Sequence, residues 1–143
     1  MPGRKRAVIA LVVASVLAAC GQRSGKSEAA ALVTAVDRCR KAGAATRPSE
    51  VKNVEDLACT AEDVCAAKRV CAEALARTAE ALAIKDRVSA RLDDLEAKRL
   101  APDDPEAEAL PGQLDTATRL LGEGRVKMSL CDSRLYELSI KYR

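Results

Sequence analysis

From Ala61 to Arg99 the chain meets neither glycine nor proline, and most of what it does meet is Ala, Glu, Lys, Arg and Leu. These residues lose little rotamer freedom in a helix, so nothing local stops a helix from running the whole way. At 1.5 Å per residue that is roughly 58 Å of rod. Its apolar positions include Val64, Cys71, Leu75, Leu82, Val88, Leu92 and Leu95. Thr60 followed by Asp63 resembles a capping box at its start. Ala101-Pro102-Asp103-Asp104-Pro105 then forces a turn, with Asp104 placed as N-cap and Pro105 at the first helical position.

The last segment carries a heptad seam. Leu110, Leu114, Ala117, Leu121, Gly124, Met128, Cys131, Leu135, Leu138 and Tyr142 alternate spacings of four and three. Pro111 and Gly112 are expected to break or kink its beginning, and Gly122 and Gly124 to weaken its middle by about 1 kcal/mol each. A glycine on the seam also lets a neighbouring helix come close. Upstream, Ser27 is the expected N-cap of a short first helix running to about Ala42, with Gly43 at its end. Its apolar stripe is Ala29, Leu32, Val36 and Cys39. Residues 43–59 read as a loop holding Pro48, with a short turn at Val54–Leu57. No alternating or β-branched run suggests a strand. The expected fold is an all-α antiparallel helical bundle: a short helix 1 and a long helical hairpin, stapled by disulfides. A core of Leu, Val and Ala makes slim, close-packed helices with little room for a large ligand pocket.

The N-terminus is of a different kind. Arg4, Lys5 and Arg6 precede an apolar run from Ala7 to Ala19, too short for a ~30 Å hydrocarbon core but suited to a signal-peptide core. The run ends in Leu17-Ala18-Ala19-Cys20, which resembles the lipobox of bacterial lipoprotein precursors at all four positions. The resemblance covers only residues 1–20. It implies cleavage after Ala19, a diacylated thiol on Cys20 and, usually, an acylated new amine. Gly21 stands where Asp would retain such a protein in the inner membrane, so the resemblance implies sorting to the outer membrane, facing the periplasm. The expected organisation is a signal peptide at 1–19, a lipidated Cys and polar tether at 20–26, and a helical domain at 27–143.

Removing residues 1–19 removes three of the 24 basic residues and none of the 21 acidic ones, so the remainder is balanced. The net charge of +3 belongs to the leader and is no argument for binding nucleic acid. Two Tyr, without Phe or Trp, leave no base-stacking platform either. The chain has no His, which removes Ser-His-Asp and Cys-His catalysis and His-ligated zinc.

Five cysteines remain besides Cys20, and an exported domain permits disulfides. Facing residues of an antiparallel pair have a constant sum of numbers. Cys71 and Cys131 centre on residue 101, in the expected turn; Cys39 and Cys65 centre on residue 52, in the expected loop. The expectation is Cys71–Cys131 and Cys39–Cys65, with Cys59 left over; Cys39–Cys59 is the alternative for the second bond. Cys59, Cys65 and Cys71 are spaced too widely for the usual zinc pattern.

Three further motifs have bland readings. Gly21 to Ser27 (GQRSGKS) resembles a phosphate-binding loop one residue short and reads as a tether. Ser49-Glu50-Val51-Lys52 matches S-x-x-K without its companion signals and reads as a solvated loop. Asp93-Asp94 and Asp103-Asp104 are neighbours that point apart on a helix, or cap one. Lys98 and Arg99 sit at the hairpin tip. If helix 2 runs antiparallel to helix 1, that tip extends past the anchor, so the bundle is expected to lie tilted on the membrane or to touch headgroups with its tip. The expected role is non-catalytic and needs no cofactor or metal: an interaction or structural module held to the membrane by its lipid, with an envelope protein or a second copy as partner. The alternative is a binding or inhibitor lipoprotein recognising a toxin, a lytic enzyme or a small ligand.

Overall fold

The computed structural model describes residues 24–143. Among them all regular structure is helical: α1 over 24–41, α2 Arg47–Glu55, α3 Glu62–Glu96 and α4 Pro105–Lys141. This is the expected all-α bundle of a short first helix and a long hairpin, held by two disulfides.

The hairpin follows its local signals closely. α3 fills the break-free stretch and stops where Lys98 turns left-handed, at φ 57°. The amides of Arg99 and Leu100 then donate back to the Asp94 carbonyl at 2.8 and 3.2 Å. Asp104 caps α4, its carboxylate accepting the Glu106 amide at 2.8 Å, with Pro105 in the first turn. α4 runs unbroken through Pro111 and Gly112, contrary to expectation. Both residues are exposed, so the proline ring and the missing amide proton fall on the outer side of α4 and the core face is untouched. Along the antiparallel pair Asp63 meets Lys141, Cys71 is bonded to Cys131, Glu73 meets Lys127 and Arg91 meets Glu106.

The seam of α4 is buried at every seventh residue: Leu110, Ala117, Gly124, Cys131 and Leu138. The second line of the heptad is not. Leu120 is buried where Leu121 was expected, and Leu114 is 41% exposed. The cause is a change in neighbours along the helix. Near the chain ends α4 packs against both α1 and α3, and Met128, Leu135 and Tyr142 join the core there. Towards the turn only α3 covers it, and one line of residues plus Leu120 suffices. Gly124 is the point of closest approach: a Cβ built there would lie 2.7 Å from the Thr78 hydroxyl.

Residues 43–59 hold a helix rather than a loop. Pro48 sits in the first turn of α2, where its missing amide proton is no loss, and Val51 and Val54 are buried. α2 is a return leg. It carries the chain back to the end of the bundle where α1 begins, so α3 starts beside the start of α1. The contacts fix the sense. Glu28 meets Thr60 and Ala61, Gly25 packs on Tyr142, and Arg40 reaches Met128 and Asp132. α1 is therefore parallel to α3 and antiparallel to α4.

This overturns the Cys39–Cys65 pairing. With Glu28 level with Thr60 and Ala61, Cys65 lies level with residue 32 or 33, roughly 10 Å along the axis from Cys39. A disulfide needs Cα atoms within about 7 Å. Cys65 is bonded instead to Cys59, across a Cα separation of 5.5 Å, and among the described residues Cys39 is the free thiol, buried in the core. Burial pushes its pKa up. Cys71–Cys131 forms as expected, because that pair depends only on the hairpin register.

Gly122 and Gly124 test the close approach. A Cβ at Gly122 meets open space, so Gly122→Ala is expected to stabilise the protein by about 0.5–1 kcal/mol. Gly124→Ala is expected to fall short of that gain, because Thr78 must turn away and lose its bond to the Ala74 carbonyl. Urea midpoints of the two variants check this. Equal gains would mean that the helices are not in contact there.

Candidate functional site

One end of the bundle collects the first described turn of α1, the start of α3 and the finish of α4. We call it the base; the hairpin turn at 97–104 is the far end. Two polar clasps hold the base together.

The first is Glu28. Its carboxylate leaves α1 and accepts the backbone amides of Thr60 at 2.9 Å and Ala61 at 3.0 Å, and the Thr60 hydroxyl at 2.6 Å. Ser24 adds its own hydroxyl at 3.0 Å. α3 has no side-chain cap of its own, so the expected Thr60–Asp63 capping box is absent; a residue of another helix does the work. A negative group at a helix start is also favoured by the exposed amides there. The Thr60 hydroxyl, with the Ala61 and Thr60 amides, pulls the Glu28 carboxyl down from 4.5 to about 2. The expected Ser27 cap is absent too, because residues 24–27 already lie inside α1. The polar tether therefore does not extend to residue 26.

The second clasp is Asp63. Lys141 donates to it at 2.7 Å and the Tyr142 hydroxyl at 3.1 Å, while Asp63 also accepts its neighbour's amide, Val64, at 2.9 Å. Partial burial pushes its pKa up, but these donors together hold it below the ordinary value. The bond to Asp63 in turn holds the Lys141 ammonium above its own. The Tyr142 ring closes over Gly25, where a Cβ would collide with it.

Cys20 and the lipobox lie outside the described residues, as do Gly21 and the start of the GQRSGKS motif. Gly25, Lys26 and Ser27 of that motif are helical, and Gly25 faces Tyr142 rather than an open loop. In α2 the Ser49 hydroxyl donates to the Thr46 carbonyl at 2.7 Å, while Lys52 pairs with Asp56 at 3.1 Å; each is engaged locally. Asp94 holds Arg99 and Arg91. Lys98 and Arg99 sit at the far end of the bundle, so the antiparallel arrangement of helix 1 and helix 2 from which a tip contact with headgroups was expected is overturned. Parallel α1 and α3 point the tip away from residue 24. An open, shallow groove runs along the outer side of α3 below α2, where Glu55, Glu73 and Glu80 alternate with Lys68, Arg69 and Arg77. Lys68 is spent on the end of α2, donating to the Glu55 and Leu57 carbonyls at 3.1 and 2.9 Å. Among the described residues no group of three Cys, Asp or Glu side chains is placed to hold a metal ion, and no helix is long and apolar enough to cross a membrane.

Sequence reasoning missed the base because its partners are more than thirty residues apart. Glu28 reads as a first-turn acid, and Tyr142 as one more seam position.

The depressed Glu28 pKa gives a testable sign. Below the folded value the carboxyl is protonated in both states, and above about 4.5 it is charged in both. Its contribution is therefore complete above about pH 4.5 and is lost as pH falls towards about 2. Thermal unfolding followed against pH should show wild type above Glu28→Gln near neutrality, with the gap closing across that window. A gap independent of pH would mean that the clasp is not ionic.

No protein-family model, curated protein or solved structure matches the chain.

Proposed function

We propose that the chain is the precursor of a lipid-anchored bacterial cell-envelope protein, a non-catalytic interaction or structural module held on the outer membrane and facing the periplasm. The observation that carries this reading is Leu17-Ala18-Ala19-Cys20 at the end of a thirteen-residue apolar run preceded by Arg4, Lys5 and Arg6. Charge, length and box serve one processing event: the basic residues orient the leader, the run is inserted without spanning, and Cys20 receives the lipid. Several acyl chains on one residue anchor firmly, at ~0.8 kcal/mol per buried CH₂.

The fold supports the reading in two respects. Both disulfides suit an oxidising compartment. The described chain begins at the base, four residues beyond Cys20, so a membrane-held Cys20 leaves the hairpin projecting some 50 Å from the anchor as a slim helical surface. That surface is where an envelope protein or a second copy would bind; nucleic acid has no place in this reading.

Expression of the full precursor in a bacterial host tests the reading directly. Mass spectrometry is expected to find a mature chain beginning at Cys20 and carrying diacylglycerol, in the outer-membrane fraction. Cys20→Ser is expected to accumulate uncleaved and without lipid. A wild-type chain that keeps residues 1–19, or that loses them without acylation, would overturn the proposal. Cross-linking in intact cells then identifies the partner.

A further inference from the structure

The outer side of α4 carries large apolar groups that no other described residue covers. Val126 is 73% exposed, Tyr136 64%, Ile140 51% and Leu130 47%. At 100° per residue these four fall within about a third of the helix circumference, opposite the buried line of Gly124, Cys131 and Leu138. The stripe spans roughly 21 Å of axis and ends at the base. A hydroxyl lying along it is already satisfied: Ser133 donates to the Ser129 carbonyl at 3.1 Å.

Its borders are cationic. Arg125 and Arg143 flank one side; Lys127, Arg134 and Lys141 flank the other, where Lys127 is paired with Glu73 and Lys141 with Asp63 of α3, each at 2.7 Å, so that Arg125 and Arg143 are the cations left for phosphate. Against these five, residues 125–143 hold two acids, Asp132 and Glu137. Asp132 is engaged by Arg40 on the α1 side; Glu137 falls within the stripe itself, between Val126 and Leu130 around the circumference, where Arg134 pairs with it at 3.0 Å. The remainder of the chain after Cys20 is thus net acidic, while this segment is net basic.

We propose that this face of α4 rests on an anionic phospholipid bilayer, so that the base half of the bundle lies along the membrane surface. The inference rests on the anchor reading above. Three observations point to lipid as the occupant. The chain outside the structure leaves at Ser24, at the same end of the bundle as Ile140 and Tyr142. Four residues back to Cys20 reach at most about 14 Å, enough to cross one helix of about 10–12 Å diameter and too little to hold the stripe far from lipid. An apolar strip with a tyrosine and basic margins is the pattern by which helices lie in an interface: rings and aliphatic groups enter the headgroup boundary while Arg and Lys meet phosphate.

The chain contains no tryptophan, so Tyr136→Trp places a single reporter on the stripe and Glu80→Trp places one on the exposed outer side of α3. The mature lipidated protein is reconstituted in phosphatidylethanolamine–phosphatidylglycerol vesicles with brominated acyl chains. Tyr136→Trp is expected to shift to the blue and be quenched, and Glu80→Trp to do neither. Adding Leu130→Glu and Ile140→Glu is expected to abolish that quenching while the protein stays vesicle-bound and its melting curve is unchanged. A vesicle-bound Tyr136→Trp protein whose emission is not quenched would overturn the docking face and leave the anchor standing. A blue shift that appears without lipid and grows with protein concentration would assign the face to a second copy and overturn it likewise. A chain recovered without acyl groups on Cys20 would remove the anchor, and this inference with it.

Discussion

Glu28 and the return leg of α2 together fix which end of the molecule is which. A carboxylate on one helix satisfies the first free amides of another, more than thirty residues later. A buried pair of valines in α2 makes the chain travel back before α3 can begin. Because α3 starts where α1 starts, the finish of α4 also arrives there, and Asp63, Lys141 and Tyr142 close the same end. Reversing α1 would bring Glu28 to the wrong height, expose Val51 and Val54, and separate Gly25 from Tyr142. The vertical register of every contact α1 makes follows from that one choice.

The consequences run to the cysteines and the two cores. Parallel α1 and α3 put Cys39 and Cys65 on different levels, so Cys65 bonds within its own neighbourhood and Cys39 stays a thiol in the core. The base half has three or four helices around one apolar cluster and the far half only two. Burial therefore thins along the molecule: Leu32, Val36 and Val64 are fully enclosed, whereas Leu92 and Leu114 remain partly wet. Small residues make the two-helix half tenable. Ala74, Ala81, Ala117 and Gly124 are all buried, so α3 and α4 approach closely and need few large side chains between them.

The same asymmetry shapes the functional reading. An anchor at Cys20 would hold the polar-clasped end near lipid and leave the hairpin turn as the part farthest from the anchor. The exposed groups divide accordingly: the α4 stripe lies towards the base with its basic margins, and the shallow groove of alternating acids and bases runs along α3. Neither arrangement brings nucleophile, base and oxyanion donors together.

Several features were legible in the residues alone. The break-free run from Ala61 predicts α3, Asp104 and Pro105 predict the start of α4, and the hairpin sum predicts Cys71–Cys131. All three depend on near neighbours or on a single turn, and backbone propensity and capping act at that range. α2 was hidden by Pro48, which reads as a loop signal unless its place in a first turn is seen. The direction of α1, the Cys59–Cys65 bond, the free Cys39 and the Glu28 clasp were decided only by the tertiary structure. A connection of this length can reverse a helix or return beside it, and local propensity favours neither. The choice is made by how much apolar surface each arrangement buries and which orphan amides it satisfies, and those quantities exist only once distant segments meet.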